Sequence, residues 1–162
     1  MRHGLRYPGG TAVAVAALLA MQSMPCVGVG RLPQVAKGTF TVEMKPQGEP
    51  SVIDGVTTGR RSLSKRFEGD LSATGEGEML TAMTPVKGSA GYVAIERVTG
   101  ILHGKSGSFV FQHSGIMNRG AQQLSITVVP GSGTGQLAGI EGSFRIEVVD
   151  GRHLYEFDYA LT

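Results

Sequence analysis

Cysteine, tryptophan and asparagine are almost missing from this chain. Cys26 is the only cysteine, so the chain can form neither an internal disulfide framework nor a CxxC metal site. There is no tryptophan, and Asn118 is the only asparagine. Charge is sparse as well. Only 17% of residues are charged, and 15 Lys+Arg against 13 Asp+Glu leave a net +2 with no basic block. That excludes nucleic-acid binding by bulk charge, and no nucleic-acid partner is expected. Few prolines (7) and 41% hydrophobic residues argue against a disordered chain. Glycine is abundant at 25, but without the three-residue period of collagen. At 162 residues there is room for one folded domain.

The first thirty residues differ from the rest. They carry Arg2 and Arg6 and no acid, then an apolar run from Thr11 to Met21, then small residues to Gly30. This is the order of a secretory signal peptide, and the run is about half the length of a bilayer span. Cleavage is expected after Gly30 or Gly28, giving a leader over 1–30, a linker over 31–37 and one domain over 38–162. The competing reading is translation from Met21 or Met24. A lipoprotein reading of Cys26 is weak, because Met24-Pro25 stands where small residues belong. The expected location is exported, periplasmic or secreted, if the leader is used and cytoplasmic otherwise. No membrane span is expected in the mature chain, which would have zero net charge and no cysteine.

Beyond residue 37 the chain alternates with period two, the pattern of half-buried strands. Phe40, Val42 and Met44 oppose Thr39, Thr41, Glu43 and Lys45. Leu124, Ile126 and Val128 oppose Ser125 and Thr127, and Phe144, Ile146 and Val148 oppose Arg145 and Glu147. Tyr155, Phe157, Tyr159 and Leu161 oppose Glu156 and Asp158. Further strands are expected over 63–71, 77–84, 91–102 and 108–117, and residues 46–61 are expected to form a loop. Eight or so strands without crossover helices predict an all-β fold, an antiparallel up-and-down barrel, with a β-sandwich as runner-up.

An internal repeat stands out. Residues 99–109 (TGILHGKSGSF) and 134–144 (TGQLAGIEGSF) share seven of eleven positions at an offset of 35. Reading Gly-x-x-Gly as a two-residue hairpin places the tips at Lys105-Ser106 and Ile140-Glu141. Leu102 would then face Phe109, Leu137 would face Phe144, Gly100 would face Phe111 and Gly135 would face Ile146. Gly100, Gly104, Gly107, Gly135, Gly139 and Gly142 serve this structural motif and need no ligand to explain them. Gly131–Gly135 lacks the lysine and following helix of a phosphate loop.

The stretch 91–111 (GYVAIERVTGILHGKSGSFVF), followed by QHSG and VVPGSGTGQLAGIEGSF, resembles the bacterial domain-of-unknown-function family 3224. The resemblance covers about residues 38–161, and its motifs are specific in combination. It implies the allene oxide cyclase-like eight-stranded barrel, a fold shared with plant dirigent proteins. It implies no activity, because the family has none established and a fold does not carry one. Similar proteins commonly begin near the first strand, so the leader is a departure.

The candidate chemistry is one constellation. In the first hairpin, Phe109, Phe111 and His113 share a face with Leu102, Gly100, Val98, Glu96, Ala94 and Tyr92, and the phenylalanines mark that face as interior. Glu96 and His113 would be diagonal neighbours on an apolar wall, either a proton-transfer pair or ligand anchor, or a satisfied buried pair. Tyr92, Glu96, Phe111, His113 and Tyr159 are the candidate ligand-binding residues, and Glu96 and His113 the candidate catalytic ones. His103 is expected to be solvated beside a tip, and His153 to begin a strand. Arg60, Arg61, Lys65 and Arg66 are expected to be a solvated basic cluster. Tyr155 and Tyr159 are expected to pack with their hydroxyls at a barrel mouth. No metal ligand spacing, hydrolase elbow or cofactor is found. Three functions follow: a barrel holding a small apolar or amphiphilic molecule, a structural or subunit-interaction barrel, including a homo-oligomer, and an isomerase or cyclase using Glu96 and His113.

Overall fold

The structure, a computed structural model, describes residues 33–162. Among the described residues there are nine strands: β1 (Gln34–Pro46), β2 (Ser51–Ile53), β3 (Val56–Gly69), β4 (Leu71–Met83), β5 (Ala90–Leu102), β6 (Lys105–Asn118), β7 (Ala121–Val128), β8 (Glu141–Val149) and β9 (Arg152–Ala160). They pair antiparallel in the order β1-β9-β8-β7-β6-β5-β4-β3-β2, and β1 also pairs with β3. That last pairing closes eight strands into a barrel, and the three-residue β2 is an extra strand on β3. The leader over 1–30 lies outside the described residues. Strand β1 begins at Gln34, so most of the expected linker is already strand.

Four of the connections are tight X-Gly turns with positive φ at both residues: Asp54-Gly55, His103-Gly104, Arg119-Gly120 and Asp150-Gly151. Such turns match the twist of the strands they join. Two corrections follow. Residues 46–61 are not a loop: Asp54-Gly55 turns β2 back onto β3, pairing Ile53 with Val56. The β5–β6 tip is His103-Gly104 rather than Lys105-Ser106, so Leu102 faces Lys105 and Phe109 faces Val98. Gly100 faces Gly107 in place of Phe111. The displacement is four residues, an even number, so every side chain keeps its expected face.

The second repeat copy does not form a hairpin. Its Ala138 has φ −56° and ψ 137°, followed by Gly139 at φ 73°. These are type II turn values, which splay the flanking chain instead of returning it. The same position in the first copy holds His103 at φ 46°, a conformation histidine tolerates better than alanine. Leu137 and Phe144, and Gly135 and Ile146, are therefore not strand partners. Gly135–Leu137 forms a short 3₁₀ turn, and Leu137 packs beside Gly107 in the core. The segment before it runs along β6. Ser132 Oγ, Thr134 Oγ1 and Gln136 Oε1 accept from the backbone N–H of Val110, Ser108 and Ser106 at 3.0, 3.0 and 2.9 Å. Side chains thus satisfy an edge that β7 has left, and β7 meets β8 at one pair only, Thr127 with Ser143.

The interior is filled by aromatics. All six phenylalanines, with Tyr155 and Tyr159, are buried. Phe144 stacks on Tyr155, and Phe157 stacks on both Phe109 and Tyr159. This core occupies the half of the barrel that holds the β3–β4 and β5–β6 turns.

Candidate functional site

Charge enters the barrel at its middle. Glu96 on β5 is wholly buried, and Lys65 on β3 and His113 on β6 are nearly so. Lys65 Nζ donates to Glu96 Oε2 at 2.8 Å. His113 Nε2 lies 3.0 Å from the same oxygen, though off the line a hydrogen bond needs, and Glu96 Oε1 has no hydrogen-bond partner. Burial, the largest single influence, pushes the Glu96 carboxyl up. The contacts with His113 and Lys65 together outweigh it and hold the carboxyl below its ordinary value. The Lys65 ammonium also lies 5.0 Å from the Phe40 ring centroid and 5.7 Å from that of Phe67. Aromatic faces thus supply part of the solvation that water would otherwise give.

Local sequence makes room for this cluster. Gly75 on β4 stands against the carboxylate, and a Cβ there would collide with Glu96 Oε1. Gly75→Ala is expected to destabilise the fold by about 1–3 kcal/mol, because the pinned carboxylate and the Phe67 ring cannot both retreat. Chemical denaturation measures it, and an unchanged midpoint would show that the carboxylate has freedom to move.

Glu96 and His113 share the interior face, as the alternation predicts, but with a different register. His113 is opposite Ala94 and Glu96 opposite Phe111. Phe111 and Tyr159 lie in the packed core at 0% and 2% exposure. Tyr159 bonds at the closed end, its hydroxyl 2.7 Å from His103 Nδ1 and donating to Gln34 Oε1 at 2.7 Å. His103 is thus exposed at a tip, as expected, and its ring is also tied to Tyr159. Tyr155 accepts from Leu71 N at 2.9 Å, and His153 stacks on Phe40.

The expected basic cluster divides. Arg60 points outward and pairs with Glu78 at 2.7 Å, whereas Lys65 is an interior residue. The alternation Leu63-Lys65-Phe67 was the signal for this, since both neighbours two positions away are buried.

Above the charged cluster the barrel opens. A cavity of about 470 Å³ is lined by Met44, Met79, Met83, Met117, Leu124, Thr81, Tyr92 and Arg61, among others. These four are all the methionines of the described residues. Tyr92 is the one sequence-predicted ligand residue that lines it. Its ring occupies the space over Gly115, where a Cβ would collide with it. Burial and then the Glu96 charge raise the Tyr92 phenol above its ordinary value. Among the described residues no group of three His, Cys, Asp or Glu is placed to hold a metal ion. No described helix is long and apolar enough to cross a membrane.

Comparison with known proteins agrees with the architecture. The family model described as "Protein of unknown function (DUF3224)" matches residues 36–159. A crystal structure at 1.84 Å resolution of a DUF3224 protein of unknown function from Shewanella oneidensis MR-1 is similar. It is 47% identical, with a TM-score of 0.78, over 81% of this chain and 98% of that one. No curated protein matches. With both the family model and this structural relative covering nearly the whole barrel, the chain belongs to the DUF3224 family.

Proposed function

We propose that this barrel binds a small apolar or amphiphilic molecule, and that the molecule sits in the open-end cavity, above the charged cluster. The observation that carries this reading is the cavity of about 470 Å³ in which all four described methionines gather. The volume is in the range of small-molecule sites. Thioether side chains are flexible and polarisable, and they suit a wall that adapts to a guest. In the other half of the barrel buried aromatic side chains fill the interior. Glu96, His113 and Lys65 lie beneath the cavity, buried and not part of its lining. In this conformation Glu96 is shut off from solvent, which favours binding over an isomerase or cyclase reaction at the Glu96–His113 pair.

Titration with the neutral dye Nile red tests the reading. A saturable, one-to-one emission gain is expected, with loss of that gain in Leu124→Glu, a change at a half-exposed wall residue. Unsaturable emission, or emission indifferent to the variant, would favour the ligand-free structural barrel that the filled aromatic half supports. Export belongs to the same proposal. It rests on Arg2, Arg6 and the apolar run from Thr11 to Met21. Intact mass of the protein from a bacterial host should show a start near Val29 or Arg31, and a soluble product retaining residues 1–30 would refute it.

A further inference from the structure

The open-end cavity has polar groups that its apolar walls do not explain. Arg61 lies on the inner face of β3, two residues above Leu63, and its strand partner on β4 is Met79. Among the described residues its side chain has no hydrogen bond or ion pair, and no carboxylate lines the cavity. The Lys65–Glu96 pair beneath is internally matched, so Arg61 is the single unbalanced charge facing the space. The Tyr92 hydroxyl likewise has no hydrogen bond among the described residues. An isolated guanidinium and a free phenol therefore share one cavity with four thioethers.

From this juxtaposition we infer that the molecule bound in the cavity carries one acidic group, held by Arg61 and Tyr92, on an apolar and preferably aromatic body. The inference rests on the binding reading above and names the chemistry of its ligand. Arg61 is exposed at the cavity mouth, and a neutral guest seated against Met79 and Met44 would cover part of its guanidinium and return nothing for the water displaced. A carboxylate returns charge-assisted hydrogen bonds in the guanidinium's planar geometry, and the phenol adds a neutral donor to the same acceptor. A cationic guest meets like charge with no acid in the wall to offset it. The body is argued from the sulfurs and the ring: methionine thioethers make favourable contacts with aromatic edges. The Tyr92 ring is held in place over Gly115 as a further flat surface.

Three probes of one shape separate charge from fit: 2-naphthoate, 2-naphthalenemethanol and 2-naphthylmethylammonium, titrated calorimetrically into the full protein. The naphthoate is expected to bind at least about tenfold more tightly than the alcohol, the gain of one charge-assisted hydrogen bond, and the cation weakest of the three. Arg61→Gln should bring naphthoate to the level of the alcohol and leave the alcohol unchanged. Tyr92→Phe should weaken naphthoate more than the alcohol. Lys45→Gln removes a positive charge from an exposed residue that does not line the cavity, so it should leave the preference intact. Equal binding of naphthoate and alcohol overturns the inference, as does a preference that survives Arg61→Gln. If Nile red binds while the three probes show no preference, only the acidic group falls. If neither Nile red nor any probe binds, the binding reading falls and this inference with it.

Discussion

Replacing Lys65 with methionine is expected to lower stability by about 3–5 kcal/mol at neutral pH, the cost of leaving a buried carboxylate without its cation. Glu96 is wholly buried, and its Oε1 already lacks a partner. Loss of the ammonium would leave only the off-line contact with His113. Urea unfolding measures the effect, and its pH dependence identifies the cause. In the native protein the Glu96 carboxyl is held below its ordinary value of 4.5. Its contribution is therefore complete above that pH and is lost as pH falls through the folded value. In Lys65→Met burial is opposed by His113 alone, so the carboxyl should rise above its ordinary value. The destabilisation should then be greatest at neutral pH and shrink on acidification, when the buried group takes up a proton. Adding Glu96→Gln to Lys65→Met should recover much of the loss. Parallel pH profiles for the variant and the native protein, or no recovery in the double variant, would show that Lys65 and Glu96 are not coupled.

Truncating Phe111 to alanine is expected to cost about 3–5 kcal/mol. Phe111 has no exposed surface, and its ring centroid lies 5.0 Å from those of Phe109 and Phe144 and 5.3 Å from that of Phe157. Strand partners hold these neighbours on three sides, so the space can close only in part. The rings of Phe109, Phe144 and Phe157 would line most of the void, and voids lined in this way stay dry and accept benzene. Benzene should therefore raise the melting temperature of Phe111→Ala and leave that of the native protein unchanged. A small loss of stability with no benzene effect would mean that the aromatic core repacks, contrary to the tight filling described above.

The faces of the strands were legible in the sequence, because alternation depends only on neighbours along the chain. Phe109, Phe111, His113 and Glu96 therefore fall inside as expected, even though the hairpin register is displaced by four residues. The displacement arose because the Gly-x-x-Gly frame looked like the turn, whereas the turn is the His-Gly pair itself. One backbone preference then separates the two repeat copies: histidine at 103 accepts positive φ, and alanine at 138 does not. Asp54-Gly55 carried the ordinary signal of a tight hairpin, but the prolines and polar residues around it read as a loop. Lys65 was harder to place. Lysine is rarely buried without a partner, and its partner Glu96 lies 31 residues away, visible only once β3, β4 and β5 are set side by side. The cavity was not legible, since a barrel's open end depends on where strands stop aligning and on which side chains meet there.

The first and last strands of the fold are bonded to each other, Gln34 pairing with Tyr159 across 125 residues. On the ribosome, β1 is made first and can dock on β3 early, since Phe40 and Phe67 are separated by a short stretch of chain. Its other edge must wait for β9, the last of these strands to be made. Until then every nascent chain exposes an unpaired edge of β1, with the row of N–H and C=O groups from which strands of separate molecules join. Nascent chains stalled before β9 would retain that open edge, so premature termination leaves an aggregation-prone sheet rather than a smaller barrel.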